Sequence, residues 1–126
     1  MNRAKFEKVV KRAVDQLPAQ FKPYLESVQF VVEDWPSDDL LESLGFDPDV
    51  DTLLGFYDGV PITDRSDGDF TTPGFVADTI YVFREPLLEM CETEEDLIEE
   101  IQNTVIHEVA HHFGFDEDEI DRHGFA

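Results

Sequence analysis

The segment from Thr93 to Gly114 carries every local signal of one long helix, and it constrains the fold more than any other part of the chain. Thr93 is a good N-cap, and Glu94, Glu95 and Asp96 crowd the first turn, where the positive end of the helix dipole favours acids. Leu97, Ile98, Ile101, Val105, Val109 and Phe113 recur at three- and four-residue spacings. One stripe of the helix is therefore apolar and has to be buried against a core. Gly114 follows as a residue able to take the left-handed conformation that ends a helix.

The last two turns of this helix carry His107-Glu108-Val109-Ala110-His111, the pattern H-E-x-x-H. Residues i and i+4 lie one above the other on a helix, so His107 and His111 can aim imidazole nitrogens at one metal ion. Glu108 projects to the edge of the same site, where it can take a proton from a water activated by the metal instead of ligating it. His112 points about 100° away from His111 and is expected to pack or hydrogen-bond behind the site, outside the ligand set.

Catalytic zinc usually takes three protein ligands and keeps one position for water. Only 15 residues follow His111, so the third ligand is expected from the tail unless an upstream loop supplies it. Gly114 fits the longer pattern H-E-x-x-H-x-x-G-x-x-H, in which a glycine bend returns a third histidine to the metal. At that last position the chain has Glu117, whose carboxylate can ligate zinc, and Glu117 is the first choice. Asp116, Asp118 and His123 compete with it. A plainer reading makes Asp116 to Asp121 the acidic start of another helix, with Asp116 as N-cap and Glu119 completing a capping box.

The segment from His107 to Ile120 resembles the signature of a family of small bacterial zincin-like metallopeptidases, regarded as minimal metalloproteases. Leu53 to Ser66 resembles a second block of that family, "LLG-Y-G-P-ERS", and Thr79 to Pro86 resembles its strand before the active helix. Three blocks in the expected order span nearly the whole chain. The resemblance implies a minimal zincin-like α+β fold, with a small mixed sheet of three to four strands packed on an N-terminal helix and the long active-site helix. It also implies His107 and His111 as metal ligands, Glu108 as the base, an acid near Glu117 as third ligand, and Zn²⁺ as the cofactor. No particular substrate is implied.

At 126 residues the chain fits one domain, taken as residues 1–126, large enough to bury a core without disulfides. A single cysteine, Cys91, and no apolar leader point to the cytoplasm. No apolar run approaches the ~18 residues that suggest a membrane span. The net charge is −21, and it is unevenly placed. Arg3, Lys5, Lys8, Lys11 and Arg12 are five of the nine basic residues, which leaves everything from Ala13 onward strongly acidic. Such a surface repels nucleic acids and anionic membranes. It suits basic peptides, or life at high internal salt, although generic acidic solubility is the plainest account.

Arg3 to Leu17 has the pattern of an amphipathic helix with Phe6, Val9, Val10, Ala13, Val14 and Leu17 on one face, ending before Pro18. Its basic side has the look of a membrane-surface anchor, but the apolar face more simply packs on a sheet. Val28 to Glu33, Leu53 to Tyr57 and Thr79 to Phe83 are expected strands. Asp58-Gly59 is the expected turn after the second, with Val60 to Thr63 returning as a short extended segment. The acidic connection from Asp34 to Asp51 has room for a helical turn at Asp38 to Leu44. Asp64 to Asp69 resembles a calcium loop but lacks the spacing and terminal glutamate of an EF-hand, and is expected to be a polar loop. Tyr57, Tyr81, Arg65 and Arg84 are able to hold an oxyanion, although a structural role is the plainer expectation for each.

The leading expectation is a zinc-dependent peptidase or amidase with Glu108 as general base, acting on a peptide or protein substrate for which the charge favours basic sequences. The alternative is a non-catalytic acidic adaptor on a zincin scaffold, with a structural or vestigial metal site.

Overall fold

A computed structural model describes residues 1–59 and 78–114. Its elements are α1 (Arg3–Asp15), a 3₁₀ turn (Ala19–Tyr24), β1 (Val28–Glu33), α2 (Asp38–Ser43), β2 (Gly55–Asp58), β3 (Asp78–Phe83), α3 (Arg84–Met90) and α4 (Glu94–Phe113). The architecture is α+β, as expected, with a mixed sheet of three strands among the described residues. β3 is central: β1 pairs with it in parallel and β2 antiparallel, giving the order β1-β3-β2.

The register sorts the sheet into two faces, because successive side chains alternate. Val28, Phe30 and Val32 of β1 share one face with Asp78, Ile80 and Val82 of β3 and with Gly55 and Tyr57 of β2. α1 and α4 pack on that face, burying Phe6, Val9, Val10 and Ala13 against Leu97, Ile101, Val105 and Val109. This apolar core, at about 25 cal/mol per Å² buried, is the main favourable contribution to folding. Gln102 bridges the two helices through its amide, which donates to the Ala13 carbonyl at 3.0 Å. The apolar stripe of α1 is buried against the sheet and α4, the plainer of the two expectations for this helix.

Helix ends follow local chemistry. Asn2, Ser37 and Thr93 cap α1, α2 and α4, accepting from the backbone N–H groups of Lys5, Leu40 and Asp96. Gly114 closes α4 in the left-handed conformation, φ +76° and ψ +29°, with its N–H on the Ala110 carbonyl. Differences from the sequence expectation are small. β2 starts two residues later than expected, at Gly55, and ends one later, at Asp58, because pairing with Thr79 extends the ladder, and β3 starts one residue earlier, at Asp78, opposite Val28. Pro86 and its neighbours form the short helix α3, with the proline in the first turn, where a missing N–H costs nothing. The expected extended segment Val60 to Thr63 and the loop Asp64 to Asp69 lie outside the described residues.

Candidate active site

The site is built where α4 lies along β2. Four residues of helix advance about 6.0 Å, and two residues of strand about 6.8 Å, so an i, i+4 row on a helix can track an i, i+2 row on a strand. Thr104, Glu108 and His112 of α4 track Gly55, Tyr57 and Gly59 in this way. A Cβ placed on Gly55 would lie 2.6 Å from Thr104 Cγ2, and one on Gly59 would lie 3.0 Å from His112 Cε1. The two glycines let the helix come down onto the strand. Between them the Tyr57 backbone N–H donates to Glu108 Oε2 at 3.4 Å.

Glu108 is thus half-buried beside β2, and His107 and His111 occupy the neighbouring row of the same helix, half-buried and exposed respectively. Burial holds the Glu108 carboxyl above the usual carboxylate range, opposed by the Tyr57 N–H and by the positive potential of His111 and His107. A carboxyl shifted upward is a better proton acceptor near neutral pH than an ordinary surface glutamate.

His112 takes no part in the histidine row. Its ring stacks on Tyr57, centroids 4.0 Å apart and planes within 15°, and meets Phe113 edge-on at 4.9 Å. Tyr57 in turn donates its hydroxyl to Asp78 Oδ2 at 2.7 Å. This brace of His112, Tyr57 and Asp78 pins the end of α4 to β2 and β3. Tyr57 therefore has a packing role. Tyr81 lies on the opposite sheet face, and Arg84 is engaged by Asp34, Glu85 and the Met1 carbonyl. Arg65 lies outside the described residues, as do Glu117, Asp116, Asp118 and His123.

Among the described residues no group of three histidine, cysteine, aspartate or glutamate side chains is arranged to hold an ion. The donors present still suit zinc: two imidazoles at i and i+4, presented on one helix face next to a partly buried carboxylate. Asp78 and Gly59 are site-supporting residues that sequence reasoning missed. The signal for Gly59 was Gly55-Phe-Tyr-Asp-Gly59, with glycines on either side of Tyr57 at two-residue spacing, the mark of close backbone approach, whereas Asp78 has its role through the long-range bond from the Tyr57 hydroxyl.

A solved structure of a conserved hypothetical protein from T. thermophilus is similar in fold, with a TM-score of 0.53 and 23% identity over 96% of this chain and 99% of that one. No curated protein matches the chain. Among the described residues no helix is long and apolar enough to cross a membrane. The model of the zincin-like metallopeptidase family matches residues 25–125, which takes in the sheet and the whole of α4 and leaves α1 outside. The chain belongs to the zincin-like metallopeptidase family.

Proposed function

We propose that the protein is a zinc-dependent peptidase that hydrolyses peptide or amide bonds and works in the cytoplasm. The observation that carries this reading is the placement of Glu108: half-buried, basic for a carboxyl, tethered by the Tyr57 N–H, and one helical row from His107 and His111. His107 Nε2 or Nδ1, the corresponding nitrogen of His111, and an acid after Gly114, with Glu117 first, would hold the metal. Zinc, when bound, supplies a Lewis acid that polarises the substrate carbonyl and acidifies the attacking water. Glu108 takes a proton from that water at a carboxylate oxygen and passes it to the nitrogen of the departing amine. The Tyr57 N–H limits the rotation of Glu108, so the carboxylate is oriented before substrate arrives.

Metal analysis of protein purified without chelator, followed by a broad peptide-library assay, tests the proposal. The expected result is about one zinc per chain, lost in His107→Ala and His111→Ala and kept in Glu108→Gln, with hydrolysis abolished in all three. Absence of zinc, or unchanged hydrolysis in Glu108→Gln, overturns it. One zinc per chain without turnover of any peptide favours the adaptor reading instead.

A further inference from the structure

The sheet face turned away from α4 carries a cavity of about 450 Å³ that the proposed hydrolysis does not use. Its walls are aromatic: Tyr81 and Phe56, directly paired across β3 and β2, and Trp35, which is 51% exposed. Phe83 forms an almost fully buried floor. Two carboxylates open into it, Glu33 from the end of β1 and Asp58 from the end of β2. Glu33 lies 3.6 Å from Arg3 in an exposed pair, worth little and easily exchanged. Asp58 is exposed and, among the described residues, has no ion pair.

The cavity is open and its lining is mixed, with Ser37 and Leu40 completing the wall, and its aromatic and acidic groups together suit an amphipathic cation. The faces of tryptophan, tyrosine and phenylalanine attract cations through the ring quadrupole. The carboxylates add charge-assisted hydrogen bonds, and the net charge of −21 raises the local concentration of any basic ligand. An exposed tryptophan leaves apolar surface in water that a ligand would cover.

We propose that this cavity binds the side chain of an arginine or lysine on a peptide partner, the alkyl stem lying against Trp35 and Tyr81 and the charged head reaching Asp58 and Glu33. The site stands independently of hydrolysis. Its natural occupant is a basic peptide, because an extended chain offers a stem long enough to reach the carboxylates and a backbone that stays outside.

Trp35 is the single tryptophan of the chain, so its fluorescence reports on the cavity alone. Chelator-treated protein at about 0.15 M salt, where surface charge is screened beyond about 8 Å, is titrated with N-acetyl-arginine methylamide. A parallel titration uses the citrulline analogue, which has the same shape without the charge. The expected result is a saturable change with arginine and binding of citrulline weaker by about tenfold, a preference that one cation-π contact and one charged hydrogen bond suffice to produce. Asp58→Asn should remove most of that preference, and Asp58→Lys should abolish binding. Asp58 is an exposed end-of-strand residue, so both variants are expected to keep the wild-type circular dichroism. No saturable change, equal affinity for arginine and citrulline, or an unaltered preference in Asp58→Asn each overturns the proposal. A zinc-loaded, hydrolytically inactive protein that still prefers arginine would leave it standing while the peptidase reading fell.

Discussion

Substitution of Gly55 by alanine tests whether the approach of α4 to β2 is as close as the site requires. A methyl group at Gly55 would sit 2.6 Å from Thr104 Cγ2 and 3.0 Å from the Tyr81 carbonyl oxygen, whereas apolar contacts are favourable at about 3.5–4.0 Å. About 1 Å of separation has to be found. Thr104 is buried, so swinging Cγ2 away means a change to its second helical rotamer inside a packed contact. The Tyr81 carbonyl is part of the central strand and cannot retreat without disturbing the ladder. Overpacking of this kind costs about 1–3 kcal/mol. Loss of glycine's unfolded-state freedom gives back about 0.4–1 kcal/mol, since the strand conformation suits alanine. The net expectation is destabilisation by about 1–2 kcal/mol, a fall in Tm of roughly 4–8 °C for a domain of this size.

Urea denaturation followed by circular dichroism measures the change, and Thr104→Ser, which deletes Cγ2 and keeps the hydroxyl, supplies the cycle. In the Thr104→Ser background the cost of Gly55→Ala should shrink by about 1 kcal/mol, because the residues are in direct contact and their effects cannot add. If Gly55→Ala is neutral or stabilising, or if its cost is the same in both backgrounds, the close packing of α4 on β2 is wrong, and the link between Tyr57 and Glu108 goes with it.

Gly114→Ala is expected to cost about 1 kcal/mol through backbone strain alone, since φ is +76° and an added Cβ meets nothing within 4 Å; Gly114→Asn should cost less, and an unchanged urea midpoint for alanine would count against the left-handed cap. Burial, reinforced by Glu100 and Asp96, pushes the Cys91 thiol up. Iodoacetamide should therefore alkylate it more slowly than free cysteine at pH 8 and faster in Glu100→Gln, and equal rates would refute the assignment. Glu108, raised by burial, titrates in the native metal-free protein above its unfolded value. Its ionisation then lowers native stability as pH rises above the ordinary carboxylate range. Metal-free Glu108→Gln should match the wild type near pH 4 and be more stable than it near pH 7, and the opposite trend in urea midpoints would sink the burial argument.

α1, α2 and α4 were legible because their signals are local, whereas the 3₁₀ turn at Ala19–Tyr24 and the short helix α3 are too brief to show a period. Thr93, the acids after it, the apolar stripe and Gly114 all act within one or two turns, so α4 ends where its residues say it should. The strands were legible through their β-branched and aromatic runs, with shifts at their ends, at Leu53 and Leu54, Asp58 and Asp78, which only pairing could reveal. The order β1-β3-β2 was not legible: parallel pairing of β1 with β3 joins segments far apart in the chain, and no local pattern encodes it.

The same distinction runs through the site. Spacing along α4 relates His107, Glu108 and His111 to one another, since all three lie within five residues of one helix. What Glu108 meets is set by another segment, 51 residues earlier in the chain. The near match between four residues of helix and two of strand turns that long-range contact into a row: Thr104 against Gly55, Glu108 against Tyr57, His112 against Gly59. Each glycine removes the side chain that would hold helix and strand apart, and Tyr57 between them supplies a backbone donor to Glu108 and an aromatic face to His112. His112, expected from its direction on the helix to pack outside the row of His107 and His111, finds its partner in Tyr57. Displacing either glycine contact should therefore shift the Tyr57 N–H away from the Glu108 carboxylate, while the i, i+4 spacing of His107 and His111, set within α4, stays as it is.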